Sequence, residues 1–311
     1  MLSPSLSREI TPTWTKDLNV AKRAISELLT DSRVALILGA GASVSFKLPQ
    51  WDELLDSVES TLNSERVSFS NITDEKARAQ KIKEVLFNND SGEFIDAVRS
   101  ALYQGYDPTF EKLSQNSALS SLASIVLAGS KYDRFNIITF NFDDVMELYL
   151  RFHGHSAYAV TEHNTWADFG ASVNIYHIHG YLPFFDTNSS KNIVLDEDSF
   201  NAISDSKWDA RIKPILLENF CIFFGLSGDD THLIDLMEDT EANHILANNN
   251  PSHFWGIRLN CGGTANEGEK WAKWGIANIE FDSWLEAYSY LFSISQISSF
   301  GQELAIKNHS K

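Results

Sequence analysis

The feature that most constrains the fold is a short apolar run that ends in two glycines. Val34-Ala-Leu-Ile-Leu38 is followed directly by Gly39-Ala-Gly-Ala-Ser43. Five consecutive apolar residues predict a strand buried on both faces, as in a parallel sheet covered by helices. Gly39 and Gly41 lack a Cβ, so the corner suits either close approach to a ligand or close packing of the chain. A helix starting near Ser43 would point its free N–H groups at the same place, which favours a pyrophosphate.

Strand-like segments recur along the chain with helical patterns between most of them. After residues 34–38, the predicted strands are 135–140, 173–178, 220–224, 254–259 and 276–281. The predicted helices are 16–30, 145–152, 210–218, 233–247 and 284–293, and residues 51–127 show helical spacing divided into about four helices. This alternation predicts an α/β fold, a Rossmann-like parallel sheet with helices on both faces and a helical insertion after the first strand.

The same pattern suggests how the chain is divided. We expect an N-terminal arm and helix over residues 1–33, in which 1–15 are the arm. The main domain covers residues 34–299, with the helical insertion at about 51–130. Residues 300–311 are predicted to form a C-terminal tail.

Charge and cysteine content exclude several kinds of protein. The formal net charge is −17 over 311 residues, which argues against wrapping nucleic acid and against docking on anionic lipid. Cys221 and Cys261 stand alone, so neither a disulfide framework nor a four-cysteine zinc site is possible. The first residues lack a signal-peptide pattern, and no apolar run is long enough to span a bilayer. We therefore expect a soluble, cytoplasmic protein.

Polar residues follow the second and third predicted strands. Asn141 and Asp143 lie in Ile138-Thr-Phe-Asn-Phe-Asp-Asp144, and His177 and His179 lie in Tyr176-His-Ile-His-Gly-Tyr181. Ligands of parallel sheets bind beyond the carboxyl ends of the strands, so all four are candidate site residues. Asp143 is expected either to stabilise a cation or to cap the following helix. Two histidines two positions apart on a strand are predicted to face the same way.

A metal site is the competing interpretation of the histidines. His153 and His155 repeat the spacing of His177 and His179, and neutral imidazoles bind zinc. Gly154 lies between the first two, however, and this favours a helix C-terminus, where histidine is common. The fourth strand ends in Phe224-Gly-Leu-Ser-Gly-Asp-Asp230, a second turn of small residues that could receive ribose or phosphate. Acidic residues at 196–198 and 229–230 are predicted to open helices.

The order of these four strand-end motifs resembles the sirtuin superfamily and, more closely, the sirtuin-like effectors of bacterial antiphage defence. The resemblance implies that residues 34–299 form a sirtuin-like NAD-binding domain. It implies catalytic roles for Asn141, His179 and Asp143, the first and last beside the nicotinamide ribose. The implied NAD-binding residues are Gly39, Ala40, Gly41, Ala42 and Ser43 at the pyrophosphate and ribose, Pro49 and Trp51 at the nicotinamide side, Gly225 and Ser227 at the adenosine side, and Asn260 at a ribose.

The chain departs from deacetylating sirtuins at several positions. Phe140 stands where they have Gln, Lys47 stands where glycine is usual, and Asp52 stands where they carry Arg. Their paired Cys-x-x-Cys motifs are missing, so the family's structural zinc has no ligands and we expect no metal. The helical insertion replaces the zinc module.

The resemblance implies that the chain hydrolyses NAD+ to nicotinamide and ADP-ribose, without zinc, as a regulated effector that depletes NAD in abortive infection. It also implies control by assembly into a homo- or hetero-oligomer, or by a separately encoded sensor that is nucleotide-sensing or Argonaute-like. Direct binding to nucleic acid or membrane is not expected. Two alternatives remain open: a non-catalytic module that binds NAD or ADP-ribose, and a protein ADP-ribosyltransferase.

Overall fold

The computed structural model describes residues 17–62, 68–130, 134–161, 170–185, 193–203, 208–248, 254–263 and 265–309. The predicted N-terminal arm lies outside these residues. Within them, seven parallel strands form one sheet in the order β3-β4-β2-β1-β5-β6-β7. The strands are β1 Val34–Leu38, β2 Phe135–Thr139, β3 Ala157–Val160, β4 Val173–His177, β5 Phe220–Phe224, β6 Gly256–Cys261 and β7 Ile276–Phe281.

The described residues form twelve α-helices around this sheet. They are α1 Leu18–Thr30, α2 Trp51–Leu62, α3 Glu75–Leu86, α4 Ser91–Leu102, α5 Phe110–Ser114, α6 Ser117–Gly129, α7 Val145–Phe152, α8 Glu197–Ile203, α9 Asp209–Glu218, α10 Thr231–Asn248, α11 Ala265–Lys273 and α12 Trp284–His309. Helices α2 to α6 lie between β1 and β2 in the chain, so the Rossmann-like fold with a helical insertion is confirmed.

Most element boundaries agree with the sequence patterns, and the differences have local causes. Strand β3 was not predicted, because four residues that include two alanines carry little strand signal. The insertion has a fifth helix because Asn116 caps α6, accepting a hydrogen bond from the Leu119 N–H. Helix α11 was also missed. Helix α12 extends to His309 and thus crosses the predicted boundary at residue 300.

Among the described residues, no α-helix starts near Ser43, which was the condition for free N–H groups to point at this corner. Residues Ala40–Ala42 and Val44–Phe46 form two short 3₁₀ turns, and the next α-helix begins at Trp51. Lys47 ends the second turn in the left-handed conformation, with φ of 62°. Pro49 follows two residues later, and the residue before a proline disfavours the helical conformation. The chain therefore cannot continue as a helix through this corner.

Side chains of the sheet alternate between two apolar cores, one on each face. In β1, Leu36 and Leu38 pack into the core that includes α1, α6 and α12, whereas Ala35 and Ile37 pack into the core that includes α9 and α10. Both faces are thus covered, and the carboxyl edge of the sheet is the place where polar side chains meet. No helix among the described residues is long and apolar enough to cross a membrane.

Candidate active site

The glycine corner after β1 packs tightly against the loop after β5. Gly39 N donates to Phe224 O and Gly41 N donates to Gly225 O, both at 3.0 Å. A Cβ on Gly41 would lie 2.7 Å from the Gly225 Cα. Gly225 has φ of +73°, and a Cβ there would overlap the backbone nitrogen of Ala42. Close packing of two loops therefore requires Gly41 and Gly225.

The backbone donors of this corner are already used within the chain. Ala42 N donates to Gly39 O and Ser43 N donates to Ala40 O, both at 2.9 Å. The expectation of free N–H groups at this corner was therefore wrong at four positions, because the 3₁₀ turn and the β5 loop accept these hydrogen bonds. The binding roles of residues 39–43 stay a prediction.

A hydrogen-bonded network joins the motifs after β1 and β2. The Asn141 Nδ2 group donates to Gly39 O at 3.0 Å and to Ser43 Oγ at 3.1 Å. Ser43 Oγ in turn donates to Asp143 Oδ2 at 2.7 Å. Asp143 Oδ1 accepts from Val145 N, the first N–H of α7, at 3.2 Å, although the N-cap residue of this helix is Asp144. Burial raises the pKa of Asp143, against the effect of the Ser43 hydrogen bond.

His177 joins this network through a buried acidic partner. Its Nε2 lies 2.5 Å from Glu147 Oε1, and its Nδ1 lies 3.2 Å from the carbonyl oxygen of Asn141. Burial works against the charged imidazole, but Glu147 outweighs it and raises the pKa of His177. His177, Glu147, Asn141, Asp143 and Ser43 line a cavity of about 20 Å³. That volume is enough for one water molecule.

His179 lies apart from this network, in an aromatic environment. Its ring packs edge-on against Phe140 and Phe200, with centroids 5.0 and 5.2 Å away, and stacks on His232 at 5.8 Å. Its Nε2 is buried, makes no hydrogen bond to the described residues, and lies 3.8 Å from Asp230 Oδ1. Burial lowers the pKa of His179 to about 4, so the ring is neutral at pH 7.

The expectation that His177 and His179 face the same way was wrong. Strand β4 ends at His177, and His179 lies in the turn that follows. The period of two holds only within a strand, so the turn gives the two rings different neighbours.

The helical insertion makes contacts along the carboxyl edge of the sheet, near Asn141 and near His179. The Tyr103 hydroxyl at the end of α4 donates to Leu182 O at 2.5 Å and lies 3.1 Å from Asp144 Oδ1. Lys76 on α3 donates to Thr231 Oγ1 at 2.8 Å, and its Nζ lies 4.0 Å above the Phe200 ring. A cavity of about 470 Å³ lies between the insertion and the main domain, and it is lined by Asp74, Lys76, Glu197, Phe200, Asn201, Thr231, His232 and Asp235.

The residues predicted on the nicotinamide side lie near these aromatic rings. Trp51 is the first residue of α2, and its ring centroid is 6.0 Å from that of Phe200 and 6.4 Å from that of Phe142. Pro49 is half-buried in the loop before it. Lys47 adopts the left-handed conformation that glycine favours, which explains physically why a glycine suits this position.

Two predicted residues make contacts outside the network. The Asn260 side-chain amide at the end of β6 donates to both carboxylate oxygens of Glu280, at 3.0 and 3.3 Å. Ser227 is exposed, and its Oγ accepts from Asp229 N at 3.3 Å. Their roles at a ribose stay predictions.

His153 lies at the end of a helix, and the two cysteines lie in strands. His153 caps the C-terminus of α7 and is followed by Gly154 with φ of +79°, so the predicted helix end is confirmed. Cys221 is buried in β5 and Cys261 is a free thiol at the end of β6. In the part of the chain that the structure describes, no three His, Cys, Asp or Glu residues cluster as metal ligands do.

Sequence reasoning missed four residues of the site. Glu147, Phe200, Asp230 and His232 all contact a predicted site histidine. Glu147 left one detectable signal, since it is an acidic residue on a helix whose neighbours Val145, Met146, Tyr149 and Leu150 are buried. Asp230 was assigned to helix capping alone, and it does accept a hydrogen bond from Leu233 N at 2.9 Å.

Comparison with known families identifies the part of the chain that carries these residues. Residues 135–279 match the SIR2-like domain. The match covers less than half of the 311-residue chain. The matched range runs from β2 into β7 and contains Asn141, Asp143, His179 and Gly225, while the glycine corner at 39–43 lies before it.

Solved structures similar to this chain include three sirtuin structures at low sequence identity. A Sir2 homolog in complex with NAD aligns with a TM-score of 0.47 and 14% identity, covering 89% of this chain and 93% of the other. A Sir2 enzyme studied for its mechanism and regulation aligns with a TM-score of 0.46 and 12% identity, covering 91% and 98%. A mutant Sir2 homologue in complex with ADP-ribose gives 0.45 and 13%, covering 89% and 97%. No curated protein matched the chain.

Proposed function

We propose that the chain hydrolyses NAD+ to nicotinamide and ADP-ribose. The observation that carries the proposal is the hydrogen-bonded link from Gly39 and Ser43 through Asn141 to Asp143, at the carboxyl edge of β1 and β2. Ligands of open parallel sheets bind beyond the carboxyl ends of the strands. Asn141 and Asp143 lie within the match to the SIR2-like domain.

The network suits the charge that develops when the nicotinamide C–N bond breaks. The bond electrons leave with nicotinamide, and positive charge appears on the ribose. A buried carboxylate at Asp143 would stabilise that cation, and the Asn141 amide would orient a ribose hydroxyl or the attacking water. Water then forms the new C–O bond and releases one proton.

His179 is the proposed acceptor of that proton. Its ring is neutral at pH 7, since burial lowers its pKa to about 4, and its buried Nε2 can therefore accept. Asp230, 3.8 Å from this nitrogen, would stabilise the imidazolium that results. The proposed cycle needs no metal.

Product analysis separates this proposal from its rivals. The purified chain would be incubated with NAD+, alone and with the products of neighbouring genes, and the products separated by chromatography. Free nicotinamide and ADP-ribose support hydrolysis, and cyclic ADP-ribose would be seen as a separate product. Labelled protein would instead indicate an ADP-ribosyltransferase, and NAD+ binding without turnover would indicate a binding module.

His179→Ala tests the mechanism within this assay. The change removes the proton acceptor and leaves the Asn141 network in place, so turnover should fall roughly a hundred- to ten-thousand-fold with NAD+ affinity little changed. His153→Ala is the matched control, because His153 is an exposed helix cap. Parental turnover in folded His179→Ala would contradict the mechanism.

We further propose that activity is regulated, as in an antiphage effector that acts by NAD depletion. The contacts of Tyr103 and Lys76 support a role of the insertion as a lid or as the surface that receives a sensor, an activator or a second subunit. The isolated chain should then turn over slowly and accelerate on assembly. Full turnover by a dilute sample shown to be monomeric would contradict regulation by assembly.

A further inference from the structure

Glu147 and His177 form a pair that is closed off from solvent beside the proposed catalytic amide. Each side chain is 1% exposed, and the two approach at 2.5 Å. Glu147 comes from α7 and His177 from the end of β4, so the pair joins a helix to the sheet. The Tyr181 ring packs against His177 with centroids 4.5 Å apart.

The partners of His177 determine where its protons lie. The backbone carbonyl of Asn141 can only accept, so the Nδ1 that contacts it at 3.2 Å carries a hydrogen. Nε2 and Glu147 Oε1 share a further hydrogen at 2.5 Å, and Glu147 raises the pKa of His177, which places this hydrogen on Nε2. The pair is therefore a buried imidazolium with a carboxylate. Charge-assisted hydrogen bonds of this kind are shorter and stronger than neutral ones.

The imidazolium holds Asn141 at its backbone, while other groups hold its side chain. Asn141 N donates to Thr139 Oγ1 at 3.1 Å, a contact within the same loop. The His177 hydrogen bond to the Asn141 carbonyl ties this residue to the end of β4. The pair therefore fixes the Asn141 backbone from which the side chain extends, while Gly39 O and Ser43 Oγ accept from the Nδ2 group itself.

Stability alone is a weak reason for such a pair. Removing two charges from water costs several kcal/mol per ion, and an apolar pair of similar volume is often as stable or more so. We propose that Glu147 and His177 are positioning residues, and that their buried ion pair orients the Asn141 amide for the reaction at the ribose. This inference rests on the proposed function and assigns Glu147 a role that the sequence did not suggest.

Two substitutions at Glu147 separate positioning from folding. Glu147→Ala removes the partner, so we expect kcat to fall about 10- to 100-fold with KM for NAD+ little changed, since small misplacements of a reacting group cost this much. Glu147→Gln can donate to Nε2 of a neutral His177 while Nδ1 still donates to Asn141, so it should restore kcat to within about threefold of the parent.

Glu241→Ala is the matched control. Glu241 is a half-buried carboxylate that accepts from the Trp255 indole at 3.0 Å, near the amino end of β6. It should lower the free energy of unfolding without changing kcat. Parental kcat in folded Glu147→Ala, or a loss in Glu147→Gln as large as in Glu147→Ala, would overturn the positioning role.

Nitrogen NMR of the full chain without NAD+ gives readouts that do not depend on turnover. At pH 7 both ring nitrogens of His177 should be protonated in the parent and only Nδ1 in Glu147→Gln, with the signals assigned by their loss in His177→Gln. The Asn141 side-chain amide signal should shift in Glu147→Ala and stay in place in Glu241→Ala. A neutral His177 in the parent, or an unchanged Asn141 signal, would overturn the inference. A parent that shows the expected spectra but stays inactive even with the products of neighbouring genes would instead refute only the proposed hydrolase.

Discussion

Replacing Gly225 by alanine tests whether the loops after β1 and β5 depend on close backbone contact. The change adds two costs. The left-handed backbone at φ of +73° disfavours a side chain by about 1–2 kcal/mol. The new Cβ would also overlap Ala42 N and come 2.9 Å from the Gly41 Cα, and relieving such overpacking typically costs about 1–3 kcal/mol. The free energy of unfolding should therefore fall by about 2–5 kcal/mol.

Gly105→Ala is the matched control for the cost of placing a side chain on a left-handed backbone. Gly105 has nearly the same φ, +76°, but a Cβ there would meet nothing within 4 Å. It should thus lower the free energy of unfolding by about 1–2 kcal/mol. Urea unfolding monitored by circular dichroism measures both variants, with equal slopes showing that the transitions are comparable. Equal losses in Gly225→Ala and Gly105→Ala would refute the close-contact argument.

Two further predictions follow from the environment of His179 and from the insertion. His179 has a pKa of about 4 in the folded chain and about 6.5 when unfolded, so the unfolded state binds more protons between these values and stability is lost as the pH falls through this window. Lowering the pH from 7 to 5 should reduce the free energy of unfolding by about 2 kcal/mol through this group. His179→Gln lacks the group, so its free energy of unfolding should fall by about 2 kcal/mol less than that of the parent over the same pH change. His153→Gln should show the same fall as the parent. Tyr103→Phe removes the hydroxyl that donates to Leu182 O, so it should lower the free energy of unfolding by about 1 kcal/mol and speed amide hydrogen exchange at Leu182 and Phe184. Unchanged exchange at these two amides would contradict a link between the insertion and the site.

Local patterns predicted six of the seven strands and the strand ends at which Ser43, Asn141 and Asp143 lie. The apolar run at 34–38 and the later strands are encoded by side chains close together in sequence, because burial of each strand on both faces requires them. Parallel strands place their carboxyl ends at one edge, and Asn141, Asp143 and Ser43 follow two neighbouring strands there. Their hydrogen bonds show that the three side chains lie together.

The contacts within the site were decided only by tertiary structure. Whether Gly41 meets a ligand or another loop depends on where the β5 loop lies, and no local pattern contains that information. The separation of His177 from His179 depends on where β4 stops. Glu147 pairs with a histidine from a strand remote in sequence, and this contact raises the pKa of His177 against the effect of burial. Sequence thus determined which residues are buried or lie at strand ends, while folding alone brought together the charges and donors that define the chemistry.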